Sequence, residues 1–265
     1  MRPEWVGFRL EMRRLLRYRT AAWAGIATQL VFGAILVAIR LAFARNNLDA
    51  LSMSVEQLTT YTWLGQAFFA LTPYTTNPDP EVSRMVRDGS IAYELARPVD
   101  LYRQWFVRQM SARLAPTLLR CVPVLVIATL FLGMRLPAGL GAALAWLAAT
   151  VGALLVTASL LTLVSATLLW TIAGDGVRRL VPALSAFLSG HLIPLAFFPE
   201  QLQSVVQALP FAGIVDAPFQ IWIGTRPPED IFAVLAHQLA WTVVLVAGGW
   251  WLLQAGLRRV VVQGG

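Results

Sequence analysis

Uncharged apolar runs alternate with short arginine-bearing segments along this chain, and the runs have the length scale of a bilayer rather than of a soluble core. No charge falls in the 20 residues from Thr20 to Ile39, in residues 57–78, or in the 39 residues from Leu136 to Gly174. A helical crossing needs about 20 apolar residues. On that measure the pattern predicts six spans, over 21–41, 58–73, 114–134, within 136–174, 180–198 and 231–257. The 136–174 run reads as one long, tilted helix, because its middle offers only Gly152 and no turn signal of proline, asparagine or paired glycine. Two pieces after the fifth span, 201–209 and 214–223, are too short to cross. Punctuated by Pro210 and Pro218 and bounded by Arg226-Pro227-Pro228, they read as re-entrant or interfacial helices filling 200–228, which persist only where protein or water satisfies their backbone.

The first residues carry a different period. Trp5, Phe8, Met12, Leu15 and Leu16 fall on one side of a helix over 3–19, while Arg9, Arg13 and Arg17 recur on another. This predicts an amphipathic helix lying in the membrane interface, with residues 1–19 leading into the first span. Arg13-Arg14 and Ala42-Phe43-Ala44 imitate a twin-arginine signal with its cleavage site, but the apolar run between them exceeds the usual 7–15 residues of such a signal. The expectation is an uncleaved span within a single all-α transmembrane domain over 1–265.

Composition narrows the chemistry. Hydrophobic residues make up 57% of the chain and charged residues 13%, with mean hydropathy +0.64, which leaves no length for a water-soluble catalytic domain. All 21 cationic side chains are arginine. Without a lysine the chain cannot supply the P-loop lysine that grips nucleotide phosphates. The net charge of +7 does not point to nucleic acid, because the arginines cluster beside the ends of the apolar runs, as anionic headgroups and topology require. Six spans place both termini, 77–113 and 174–179 on one side, with 16 arginines there against Arg40, Arg45, Arg135 and Arg226 on the other and Arg120 inside a span. By the positive-inside rule the first side is cytoplasmic, and the expected location is a bacterial-type inner membrane crossed several times.

Catalytic constellations are not recognisable. Cys121 is the lone cysteine, His191 and His237 are far apart, and neither a His-Glu-x-x-His helix nor a Gly-x-Ser-x-Gly elbow occurs. Ser189-Gly190-His191 reads as a close-packing spot rather than a hydrolytic one. No catalytic residue, metal ligand or cofactor is therefore expected on this chain. Polar groups within the spans are the remaining clue. Thr62 and Gln66 share a helix face at i and i+4, Ser185 and Ser189 do likewise, and His191 follows them; together they are candidates for a substrate path. Ordinary helix-to-helix packing by small polar residues is the competing reading for the serines and threonine. Arg120, about two turns into its span, is expected to snorkel to the surface.

The loop between the second and third spans has a grammar of its own. Asp79 as N-cap, Pro80 at the first helical position and Glu81 in the first turn predict a two-turn helix that Gly89 closes. Pro98 imposes a bend, and Asp100 is placed to cap a helix running through Trp105 into the third span. Arg87-Asp88-Gly89-Ser90 followed by Glu94-Leu95-Ala96-Arg97-Pro98-Val99, set between the second and third of six spans, resembles the ABC-2 type permeases of ABC transporters. That resemblance implies an exporter half whose 77–100 loop forms a coupling helix docked on a separate ATP-binding subunit, and whose N-terminal helix is a connecting helix. By the same match Arg84, Arg87, Asp88, Gly89, Glu94, Arg97 and Pro98 belong to the ATPase contact. A solvated charged face is the plain alternative for each of these charges. The resemblance further implies two copies of the ATPase carrying the ATP and magnesium, a second permease of the same or a sister chain, and re-entrant helices on the outer side between the fifth and sixth spans. Two other classes compete with an exporter. One is a membrane enzyme or scaffold without transport. The other is an ion-coupled secondary transporter, disfavoured because no acidic residue lies at mid-span to carry protons or sodium.

Overall fold

The computed structural model describes residues 3–45, 53–73, 82, 84–85, 88, 90–95, 99–170 and 175–258. Among the described residues ten α-helices appear, linked by turns: α1 Pro3–Leu15, α2 Arg19–Arg45, α3 Val55–Ala67, α4 Ile91–Leu95, α5 Leu101–Phe131, α6 Leu140–Thr167, α7 Asp175–Leu188, α8 Glu200–Ala208, α9 Asp216–Ile223 and α10 Ile231–Leu257. Helices α2, α5, α6 and α10 are long and apolar enough to cross a membrane. A single helix, Leu140–Thr167, forms within the 136–174 run, as the lack of turn signals predicts, and α10 coincides with the expected last span.

The second and fifth expected spans are shorter than the sequence pattern. Helices α3 and α7 have 13 and 14 residues, about 20 Å each at 1.5 Å per residue, against about 30 Å of hydrocarbon. Apolar composition alone cannot see why they stop. Helix α3 tightens into a 3₁₀ turn over Phe69–Leu71, and α7 ends before Gly190, whose φ of +87° lies in the left-handed region. Beyond Leu188 the expected 180–198 helix thus gives way to a turn and a second 3₁₀ segment, Leu195–Phe197.

Local chemistry explains the ends that do form. Ser54 caps α3 in a reciprocal capping box with Gln57, and Glu56 sits in the first turn. Asp100 accepts the Arg103 amide at 2.8 Å and opens α5, as its position predicts. Gly224, left-handed at φ +77°, closes α9. Pro116 and Pro123 lie inside α5, where each removes one backbone donor without ending the helix.

Helix α6 is the buried centre. Its closest partner is α10, and α5 and α9 pack on its other sides. Small residues permit the approach: a Cβ on Gly152 would overlap the Gln238 side chain, whose amide donates to Ala149 O at 2.8 Å and Gly213 O at 2.7 Å. Above this seam Phe68, Trp146 and Trp222 pack edge to face, with centroids 5.2 and 4.6 Å apart, and Tyr61 meets Phe219 the same way at 5.3 Å.

A second apolar cluster fixes one end of the bundle. Val82, Met85 and Ile91 of the expected coupling loop are buried against Leu101, Tyr102 and Trp105 of α5, against Ala166 and Leu168, and against Leu253 of α10. Trp170 donates to Leu252 O at 3.0 Å beside it. Helix α1 packs on α5, so the amino-terminal helix and the carboxyl end of α10 lie at this same end. The opposite end carries Glu56 paired with Arg135, whose carbonyl accepts the Trp222 indole at 2.9 Å.

Candidate functional site

Two groups of residues stand out, one at each level of the bundle. The first is the loop face. Arg84, Asp88 and Tyr93 are exposed, while Val82, Met85 and Ile91 anchor the same segment inward. Asp88 Oδ1 accepts the Ser90 hydroxyl at 2.6 Å and the Ser90 amide at 3.0 Å. Those bonds, the hydroxyl first, hold the Asp88 carboxyl below the usual carboxylate range. Glu94 accepts from Gln104 at 3.0 Å, tying α4 to α5. Arg87, Gly89, Arg97 and Pro98, and the capping residues Asp79, Pro80 and Glu81, lie outside the described residues. Helix α4 and exposed Tyr93 were not anticipated; a five-residue helix leaves almost no periodic signal.

The second group is buried and polar. Arg40, near the end of α2, donates to Thr62 Oγ1 at 2.7 Å and to the carbonyls of His191 and Leu192 at 2.6 and 2.9 Å. Tyr61, one residue before Thr62, donates to Asp216 Oδ1 at 2.9 Å and lies 3.1 Å from Gly190 O. Asp216 Oδ2 takes the Gln220 amide at 2.6 Å, and the Asp216 backbone N–H donates to Ser189 O at 3.1 Å. Three segments, α2 with α3, the 189–192 turn and α9, are thereby held around one point. The turn can enter because Gly190 carries no side chain: a Cβ there would sit 2.5 Å from the Tyr61 hydroxyl.

Of the five path candidates, Thr62, Ser189 and His191 belong to this knot. Gln66 lies beside it against Gly33, and the Ser185 hydroxyl bonds back to Val181 O at 2.8 Å on its own helix. All five are buried in this conformation. Three residues that organise the knot were missed. Arg40, inside the expected 21–41 span and counted only toward topology, is buried in α2, which continues through Arg45. Tyr61 lies inside the expected 58–73 span, and nothing in its local pattern singles it out. Asp216 was passed over inside a short apolar piece; its place in the first turn of α9 was the available signal. Asp216 is 3% exposed, in the first turn of α9 and outside the four helices long and apolar enough to cross a membrane. Arg120 lies against α2, where a Cβ on Gly25 would come within 2.7 Å of its guanidinium. Among the described residues no three His, Cys, Asp or Glu side chains converge on one point.

Comparison with protein families settles the lineage. A family model described as "ABC-2 family transporter protein" matches residues 26–264. The chain belongs to the ABC-2 transporter family. Comparison with curated proteins and with solved structures finds no match. In an ABC-2 family membrane protein the anchors Val82, Met85 and Ile91 and the buried knot are two places, among the described residues, where geometry singles out residues beyond general helix packing.

Proposed function

We propose that this chain is the membrane-spanning permease subunit of an ATP-driven exporter, working with a separate ATP-binding subunit that carries the nucleotide and magnesium. The observation that carries this reading is the rooting of the coupling loop. Val82, Met85 and Ile91 are buried feet set among α5, α6 and α10, while Arg84, Asp88 and Tyr93 face outward. A segment so anchored passes a rigid-body push from a docked ATPase directly into three helices at once. Exposed Tyr93 adds an apolar knob to a charged face, the composition expected of a docking contact.

In this reading α3 with its 3₁₀ turn and α7 with the 189–197 segment complete a six-span bundle, and α8 and α9 form the outer re-entrant element. The arginine-rich end is cytoplasmic, with both termini on that side, and two permeases pair across two ATPase copies. Cargo passes between the polar faces of Thr62, Gln66, Ser185, Ser189 and His191 once the knot opens. The test is charge reversal at Arg87 and Arg97 to Glu in the assembled complex. Substrate-stimulated ATP hydrolysis is expected to disappear while the permease still folds and inserts; unchanged coupling refutes the assignment.

Buried Asp216 is the one observation that favours the ion-coupled alternative. Under the exporter reading, collapsing the proton gradient leaves transport intact and removing ATP abolishes it. The reverse result selects the alternative.

A further inference from the structure

Arg120 is a cation within a helix long and apolar enough to cross the membrane, α5. Its guanidinium rests on bare backbone of α2, where a Cβ on Gly25 would come within 2.7 Å of it. Its buried Nε has no hydrogen-bond partner among the described residues. The helices that pack along α5, namely α2, α3, α6 and α10, hold no acidic residue except Glu56, which pairs with Arg135 at the opposite end of the bundle. An intramembrane cation without a counter-charge is costly, so the anion comes from outside this part of the chain.

Both helices fix the depth of the site. Gly25 follows Arg19 by six positions in α2, about 9 Å at 1.5 Å per residue. A helical side chain leans toward its own amino terminus, and for α5 that is the arginine-rich end. The guanidinium therefore lies just beneath the headgroups of that leaflet, within the reach of a snorkelling arginine. The seam is open to the side. Ala21, Thr28 and Phe32, which neighbour Gly25 on α2, are exposed, and Pro116 and Pro123, which flank Arg120 on α5, are half-buried. One turn deeper than Gly25 stands Gln29, 4% exposed, with its Oε1 unpartnered among the described residues. Turned over, that amide presents its N–H₂ at the same point.

We infer that the seam between α2 and α5 seats the phosphate of an anionic phospholipid from the leaflet at the arginine-rich end. Arg120 is its counter-ion, Gln29 donates to an ester oxygen, and the acyl chains run along Phe32 and Pro123. The order of groups matches a lipid: esters lie deeper than the phosphate, as Gln29 lies deeper than Gly25, and the hydrocarbon lies deeper still. A soluble anion has no apolar tail to hold it at this depth. A zwitterionic lipid brings its own cation, so it gains less from the guanidinium. A second copy of this chain has no carboxylate in the matching helices to offer. The inference needs only that the chain is embedded in a membrane and does not depend on coupling to an ATPase.

The test is photolabelling of the full-length protein in nanodiscs by phosphatidylglycerol that carries a diazirine near the top of one acyl chain, followed by peptide mapping. Label is expected on peptides covering 21–32 and 116–123, about fivefold above that from the matching phosphatidylcholine probe, the worth of one arginine near the surface. Arg120→Gln brings the two lipids level at these peptides, and Gln29→Leu lowers phosphatidylglycerol labelling about fivefold. Gly25→Ala pushes the guanidinium aside and lowers the preference, while the melting temperature stays equal or rises, because only a flexible tip must move and alanine favours the helix. Should Arg120→Gln misfold, Gly25→Ala still decides. Excess inorganic phosphate leaves the labelling unchanged. Equal labelling by the two lipids, a preference that survives both Arg120→Gln and Gly25→Ala, or displacement by inorganic phosphate overturns the inference.

Discussion

Tyr61 donates its phenolic proton to Asp216 Oδ1 at 2.9 Å, joining α3 to the first turn of α9 across 155 positions of sequence. Both residues are buried, and Gln220 satisfies the other carboxylate oxygen. The bond is therefore more than one contact among many: deleting the phenol leaves a buried acceptor short of a donor. Tyr61→Phe is expected to destabilise the protein by about 1–3 kcal/mol. Asp216→Asn in the Tyr61→Phe background recovers part of the loss, since a neutral amide is cheaper to leave underbonded. Thermal unfolding of the single and double variants in detergent measures the coupling; simple additivity would separate the two residues energetically.

Gly190 is held at φ +87°, with Tyr61 and Asp216 filling the space a side chain would need. Gly190→Ala meets both a backbone penalty and a clash, and a loss of about 2–4 kcal/mol is expected. The same thermal scan checks it. A tolerated alanine would mean that the 189–192 turn is not fixed against α3 and α9.

Helix spacing is probed at a different glycine. A Cβ on Gly33 would overlap the buried Trp63 ring, so Gly33→Ala pries α2 from α3 and is expected to cost about 1–3 kcal/mol. Gly7 in α1 has open space around it, and Gly7→Ala is expected to be neutral or stabilising by up to about 1 kcal/mol. The contrast between the two, read by chemical denaturation, distinguishes packing from propensity.

Thr62 and Ser185 are buried in this conformation. If they border the substrate path, Thr62→Cys and Ser185→Cys, made with Cys121→Ala, react with a membrane-impermeant thiol reagent during ATP turnover and resist it at rest. Protection throughout turnover would assign both to packing interfaces.

The Asp88 carboxyl titrates below its ordinary range because Ser90 donates to it twice. A folded-state value below the unfolded one means that the loop's order is fully present above the unfolded carboxylate range and is lost as pH falls through the depressed value. Ser90→Ala is expected to move that loss to higher pH. Hydrogen exchange across 82–95 as a function of pH provides the reading, and an unshifted profile would remove Ser90 from the account.

Much of the architecture was legible because membrane burial writes itself into one dimension. Length and lack of charge gave the helices that became α2, α5, α6 and α10, and cap chemistry gave Asp100 as the start of α5. The same one-dimensional signal overran at 58–73 and 180–198, where a 3₁₀ turn and a left-handed glycine end helices that composition would have continued. It also used Arg40 only to set topology, because a charge near the end of an apolar run gives no sign of burial until its partners are known. Those partners, Thr62 and the carbonyls of His191 and Leu192, are distant in sequence.

By itself, then, the sequence determined that this is an all-helical membrane protein, because hydropathy and helix caps are local properties of the chain, and its Arg87–Ser90 and Glu94–Val99 motifs carried the resemblance to the ABC-2 family. Only the tertiary structure decided which polar groups meet. Burying Arg40 and Asp216 is affordable once α2, α3, the 189–192 turn and α9 supply hydrogen bonds from four directions, and no local pattern along the chain encodes that convergence.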